Sequence, residues 1–120
     1  MKKYLSVITL AVLLFSGLSV SAQNGNFKKK HPRRAEVIQR EKNEKRKNAD
    51  AAEDGKITKK QEAKLNRQDG RIRRQERADA EKNGGHITKG EQNQLNREEN
   101  HVNAERNNME KRDAEKPADQ

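Results

Sequence analysis

Two hydrophobic regimes divide the chain. From Tyr4 to Val20 runs a nearly continuous stretch of Leu, Val and Ile, whereas beyond Gln23 apolar residues stand singly and far apart. Their spacing is regular. Leu65 and Ile72 are seven residues apart, and so are Leu95, Val102 and Met109. Seven residues are close to two helical turns, so each set stays on one face of an α-helix. One apolar residue per two turns is half the density of a coiled-coil seam, which predicts a very thin core.

The pattern repeats with a period of 30: Gly55-Lys56-Ile57-Thr58-Lys59 returns as Gly85-His86-Ile87-Thr88-Lys89, Leu65-Asn66-Arg67 as Leu95-Asn96-Arg97, and Ile72 as Val102. Such self-similarity marks a repeated supersecondary unit, with copies at about 49–78 and 79–108. A weaker half-period of 15 runs through Gly55, Gly70, Gly85 and Asn100. Two of these points carry turn chemistry. Thr58 and Thr88 can N-cap, with Gln61 and Glu91 three residues on as capping-box partners. Gly55 and Gly84-Gly85 suit the left-handed position after a helix. Gly70 and Asn100 have no following cap and read as helix interior, at about 1 kcal/mol for Gly70. The expectation is an all-α chain with helices at about 35–52, 59–82 and 89–113. Short connections should set consecutive helices antiparallel. Ile72 then falls near Ile38 on one side and between Leu95 and Val102 on the other. A disordered tail, 114–120, follows, with Pro117 closing the pattern.

The apolar N-terminal stretch has a different meaning. Met1-Lys2-Lys3 is a short basic start, and Ser19-Val20-Ser21-Ala22 places small residues at −1 and −3 of a cut after Ala22. That is the layout of a secretory signal peptide, 1–22. A run of 17 residues with Ser6, Ser16, Gly17 and Ser19 inside it is short for a ~30 Å hydrocarbon core, so no transmembrane segment is expected after cleavage. The chain has no cysteine, which removes disulfides, lipid attachment through Cys and thiolate metal sites. A periplasmic or secreted product is expected.

Composition sharpens this. From Gln23 onward there are 26 Lys/Arg against 19 Asp/Glu, and only nine residues are Leu, Ile, Val or Phe. Such sparse hydrophobicity with high charge predicts partial disorder and no dry pocket for an enzyme. Residues 23–34, with Lys28, Lys29, Lys30, Arg33 and Arg34, read as a disordered basic arm. Within the helical region 35–113, Lys60, Lys64, Arg67, Arg71 and Arg74 alternate four- and three-residue steps opposite Leu65 and Ile72. This basic stripe suits an anionic partner, either an envelope component or an acidic protein. The competing reading is a solvated outer face, helped by Glu36–Arg40 and Glu41–Lys45 pairs. Glu62, Asp69, Glu76, Glu91, Glu98 and Glu105 are expected to flank the seam. From Gln23 onward only Phe27 remains to stack on bases, which argues against sequence-specific nucleic-acid binding.

Other chemistry fares poorly. The Gly-x-Ile-Thr turns resemble calcium loops, and Asp50 and Asp54 are the metal candidates of that alternative. Setting Gly55 at loop position 6 puts Ala52 at position 3 and Gln61 at position 12, where an EF-hand needs oxygen ligands and a bidentate Glu. The second copy puts Lys82 at position 3. His31, His86 and His101 read as too scattered for a metal centre. No catalytic grouping can be assembled, and no cofactor other than weakly bound calcium enters consideration. Self-association completing the thin seam is a further alternative.

The stretch Asn83-Gly84-Gly85-His86-Ile87-Thr88-Lys89-Gly90-Glu91, with Leu95-Asn96-Arg97-Glu98-Glu99-Asn100 and Val102, resembles the C-terminal half of a family of small exported Gram-negative proteins. These carry two copies of a Gly-x-Leu/Ile-Thr-x-x-Glu turn, each followed by a Leu-bearing helix. Gly55–Ile72 is similar to the first copy, departing at Gln61, and Met109–Arg112 lacks the family's aromatic. The resemblance covers about 49–112 and implies export and paired helices, with no activity or site residues.

Overall fold

The structure, a computed structural model, describes residues 20–116. The expected signal segment, except its last three residues, and positions 117–120 of the expected tail lie outside the described residues. Four helices follow in order: α1 (Val20–Lys30), α2 (Pro32–Glu53), α3 (Lys59–Lys82) and α4 (Lys89–Ala114).

Both later helices begin as their capping chemistry dictates. Thr58 Oγ1 accepts from the Gln61 amide at 3.2 Å, and Gln61 Oε1 accepts from the Thr58 amide at 2.5 Å. Thr88 and Glu91 repeat the exchange at 3.1 and 2.8 Å. Gly55 and Gly85 take positive φ, 70° and 94°, in the turns before them. Only glycine enters that region without strain.

Where a disordered arm was expected, residues 23–30 belong to α1 and 32–34 to the first turn of α2, with His31 between them. Pro32 at the first position of α2 explains the split, because its fixed φ starts a helix and its missing N–H interrupts the one before. Arg34 anchors the joint. Its guanidinium bonds Glu76 and, at 3.1 Å, the Gly85 carbonyl.

Cross-helix pairs establish the topology. Between α2 and α3, Arg34 meets Glu76, Glu41 meets Arg73 and Asn48 meets Asp69, so numbers rise on one helix as they fall on the other. Between α2 and α4, Glu36 meets Gln92, Arg40 meets Asn100 and Glu44 meets Arg106, rising together. Helices α2, α3 and α4 therefore form an up-down-up bundle, every pair in contact.

The core is thin, as sparse apolar spacing requires, but its composition differs from expectation. Among the described residues ten apolar ones are buried: Val37, Ala51, Ile57, Leu65, Ile72, Ala80, Ile87, Leu95, Val102 and Met109. Val37, fully buried, takes the place expected of Ile38, which is half-buried. The unfilled seam positions are occupied by polar side chains. Buried positions on α2 are Val37, Glu41, Glu44, Asn48 and Ala51; on α4 they are Leu95, Glu99, Val102, Arg106 and Met109. Helix α3 repeats the rhythm with Leu65, Asp69, Ile72, Glu76 and Asp79. This is the four-three alternation of a full heptad seam. Asp69 and Glu76, expected beside the seam, are inside it.

Ile57 closes one end and Ile87 the other, while Glu41, Glu44, Asp69 and Glu99 gather midway beside Ile72 and Val102. Arg106 donates to Glu44 at 2.7 Å and Asn48 at 3.3 Å, while Arg73 reaches Glu41 at 2.9 Å. The expected Glu36–Arg40 and Glu41–Lys45 pairs are replaced by these cross-helix partners. Arg40 Nε lies 2.6 Å from Glu99 Oε2, yet neither Glu99 oxygen has a hydrogen bond. Burial pushes the Glu99 carboxyl up to about 7, with Glu41, Glu44 and Asp69 adding to the rise against Arg40. Burial, Glu44 and Glu41 likewise raise Asp69 to about 6.

Candidate functional site

The outward face of α3 carries the stripe. Lys60, Lys64, Arg67, Arg71 and Arg74 are all exposed, because the opposite face is committed to Leu65, Asp69, Ile72 and Glu76. Lys64 is partly engaged: it donates to Glu105 at 2.5 Å, and this bond, with that from Gln68, holds the Glu105 carboxyl below its ordinary value. Lys60, Arg67, Arg71 and Arg74 make no ion pair with any described residue. A surface cavity of about 610 Å³ lies along the stripe, lined by Lys64, Asn66, Arg67, Gln68, Gly70, Arg71 and Arg74. No carboxylate lines it.

Beside it, a groove of about 600 Å³ runs between α3 and α4. Arg71 on one wall faces Arg97, Glu98 and His101 on the other, above a floor of Ile72 and Val102. The structure thus adds Asn66, Gly70, Arg97 and His101 to the neighbourhood of the sequence-derived candidates. The repeat carried a signal for Arg97, which occupies the position of Arg67 thirty residues later.

The second basic cluster is divided. Lys28, Lys29 and Lys30 are exposed in the last turn of α1, where they complement the negative end of the helix dipole. Arg33 is exposed, whereas Arg34 is spent on Glu76, the Gly85 carbonyl and the Phe27 ring, 5.4 Å away.

At the turns, Asp54 pairs with Lys56 at 3.0 Å, and Asp50 is exposed. Lys47, Lys56 and Arg106 share the same depression. Gln61 and Glu91 have their carbonyl and carboxylate oxygens occupied by capping, and Glu91 also accepts from Asn83 at 3.0 Å. That backbone bond from Thr88 holds the Glu91 carboxyl below its ordinary value. Among the described residues no three His, Cys, Asp or Glu are grouped to hold a metal ion.

The histidines are less scattered than their numbering implies. His31, between α1 and α2, stacks on His86 with centroids 4.5 Å apart and on Phe27 at 5.0 Å. His101 is elsewhere, in the α3–α4 groove. Desolvation first, then His86, Arg34 and Lys30, lowers the His31 pKa. Its Nδ1 is buried without a partner.

No helix among the described residues is long and apolar enough to cross a membrane. No family model, curated protein or solved structure matches the chain.

Proposed function

We propose that this is an exported, non-enzymatic helical protein of the periplasm or cell envelope that binds anionic partners reversibly through the α3 stripe and the exposed lysines of α1. The family resemblance at the Gly-x-Ile-Thr turns supports export, as does the signal-like N-terminus.

One observation carries the binding reading. Helices α3 and α4 occupy equivalent places, with buried positions matching at an offset of 30 from Leu65/Leu95 to Asp79/Met109. Their outer faces do not match. Lys60, Lys64, Arg67, Arg71 and Arg74 correspond to Gly90, Gln94, Arg97, His101 and Ala104. Solvating an outer face requires only polar residues, and α4 meets that need with mostly neutral ones. Five cations on one copy exceed what solubility asks and suit a polyanion.

Binding to vesicles carrying anionic lipid should fall steeply between low and physiological salt, because each neutralised contact releases a counterion. At physiological salt, screening over about 8 Å leaves only close contacts. Gln at Arg67, Arg71 and Arg74 should weaken binding and flatten the salt slope, while circular dichroism stays unchanged. Salt-independent binding, or full affinity in the triple variant, would overturn the proposal.

A further inference from the structure

The α3 stripe contains a residue that neither the helix nor the packing explains. Gly70 sits in the middle of a 24-residue helix, where glycine is the poorest non-proline choice. A glycine kept for close packing would show a neighbour where its Cβ should be. At Gly70 that position meets only Arg74 Nη1, at 3.7 Å, an ordinary contact with the end of a flexible side chain. Its φ is not in the left-handed region either. Alanine would fit and would favour the helix.

What the missing side chain does is open a notch between arginines. Arg67 precedes Gly70 by three residues and Arg74 follows by four, so all three share one face, and both arginines line the same cavity as Gly70. Arg74 curls back over it, as the 3.7 Å approach shows. Asn66 and Arg71 complete the rim. Toward α2 the notch opens on Lys45, which has no ion pair with a described residue, and on Arg73. Glu41 and Asp69 border that side but are turned into the core, Glu41 held by Arg73. In the second repeat copy the same position is Asn100, bound by Arg40 at 2.6 Å, and the partner of Arg74 is Ala104. The notch belongs to one copy only.

We propose that this notch is a binding site for a phosphomonoester, seated over Gly70 between the Arg67 and Arg74 guanidinium groups. The inference rests on the electrostatic binding reading and narrows it to a ligand. Arginine forks match the oxygens of a phosphoryl group in pairs. Two forks on opposite sides serve a dianion with three terminal oxygens better than a diester, which offers one charge and two free oxygens.

The test follows the Gly70 amide and the Arg67 and Arg74 Nε–H signals by NMR while the full mature chain is titrated with inorganic phosphate, phenyl phosphate and dimethyl phosphate. Vesicles of phosphatidic acid and of phosphatidylglycerol at equal surface charge form the membrane arms. Inorganic phosphate and the monoester phenyl phosphate should shift all three signals, and the diester should bind about tenfold more weakly, a difference of about 1.4 kcal/mol. Competition between phosphatidic-acid vesicles and phenyl phosphate assigns the site to a lipid headgroup. Shifts with soluble phosphates alone assign it to a free phosphate, and either supports the site. Gly70→Ala should raise Tm while lowering monoester affinity about fivefold, opposite signs that exclude misfolding as the cause. Arg67→Gln and Arg74→Gln should each lose about tenfold, and Lys42→Gln on α2 should change nothing. Unchanged affinity in Gly70→Ala, or equal binding of monoester and diester, overturns the site. Salt-sensitive vesicle binding surviving that result leaves the broader electrostatic reading standing; absence of binding to every anion removes both.

Discussion

Glu99 is the residue where the cost of this interior is most concentrated. It is 1% exposed, hydrogen-bonded at neither oxygen, and raised to about 7 against an ordinary 4.5. Above pH 7 it is ionised in both folded and unfolded chains, and the folded state bears the burial penalty. Glu99→Gln removes the charge at constant shape, and should stabilise the protein at pH 8 by up to about 3 kcal/mol, at about 1.4 kcal/mol per unit. The gain should vanish by about pH 3, where the carboxyl is protonated in both states. Urea melts at the two pH values check this. Arg106→Met should act oppositely and lose about 3–5 kcal/mol, since it strips Glu44 and Asn48 of their buried donor. Interior residues of this kind are what sequence reading handles worst. Leu65, Ile72, Leu95 and Val102 announced themselves by apolarity and spacing. Glu76 did not, because its burial depends on Arg34, 42 residues away in sequence, and nothing local to Glu76 signals that partner.

Among the helices, α3 and α4 were the most legible, because their beginnings are local chemistry: a threonine, a Gln or Glu three positions on, and glycine just before. Their starts at Lys59 and Lys89 coincide with the sequence expectation. Helix α2 was harder, since a run of Lys and Arg around Pro32 looks identical whether it precedes a helix or begins one. Thr58→Ala and Thr88→Ala should each cost about 0.5–2 kcal/mol. The loss should appear first as faster amide exchange in the opening turn of the affected helix. Circular dichroism with calcium and with chelator should coincide, because the oxygens an EF-hand would use at Gln61 and Glu91 are already accepting capping bonds. A calcium-dependent rise in helicity, abolished by Asp50→Asn and Asp54→Asn, would reverse that conclusion. The proposed binding surface was half legible: the stripe followed from helical periodicity, whereas the notch depends on where Arg74 lies in space.

Over the whole molecule, two groups of carboxylates oppose each other as pH changes. Asp69 and Glu99 have folded-state pKa values raised to about 6 and about 7. Between their unfolded and folded values the native chain binds more protons, so stability rises as pH falls from about 7 toward about 4.5. Glu91, Glu105 and Asp113 are held below their ordinary values by hydrogen bonds. Their contribution is complete above the unfolded pKa and is lost as pH falls through the folded one. Stability should therefore peak in mildly acidic solution, at about pH 5, and decline on both sides. Thermal melts from pH 3 to pH 9 should trace that maximum, and Glu99→Gln should move it toward neutrality.

The polar middle of the bundle also governs how the protein meets temperature. Apolar surface exposed on unfolding raises the heat capacity, and polar surface lowers it. A chain that hides six carboxylates and a guanidinium among ten apolar side chains releases both kinds at once, and the two contributions offset. Its heat-capacity change per residue falls below that of a hydrocarbon-cored domain of equal length, which flattens the curve of stability against temperature. Dehydrating buried charges also becomes less costly as water warms. Both effects reduce the curvature of stability against temperature. An interior in which seven ionisable side chains share the space with ten apolar ones exchanges a sharp optimum for a shallow one.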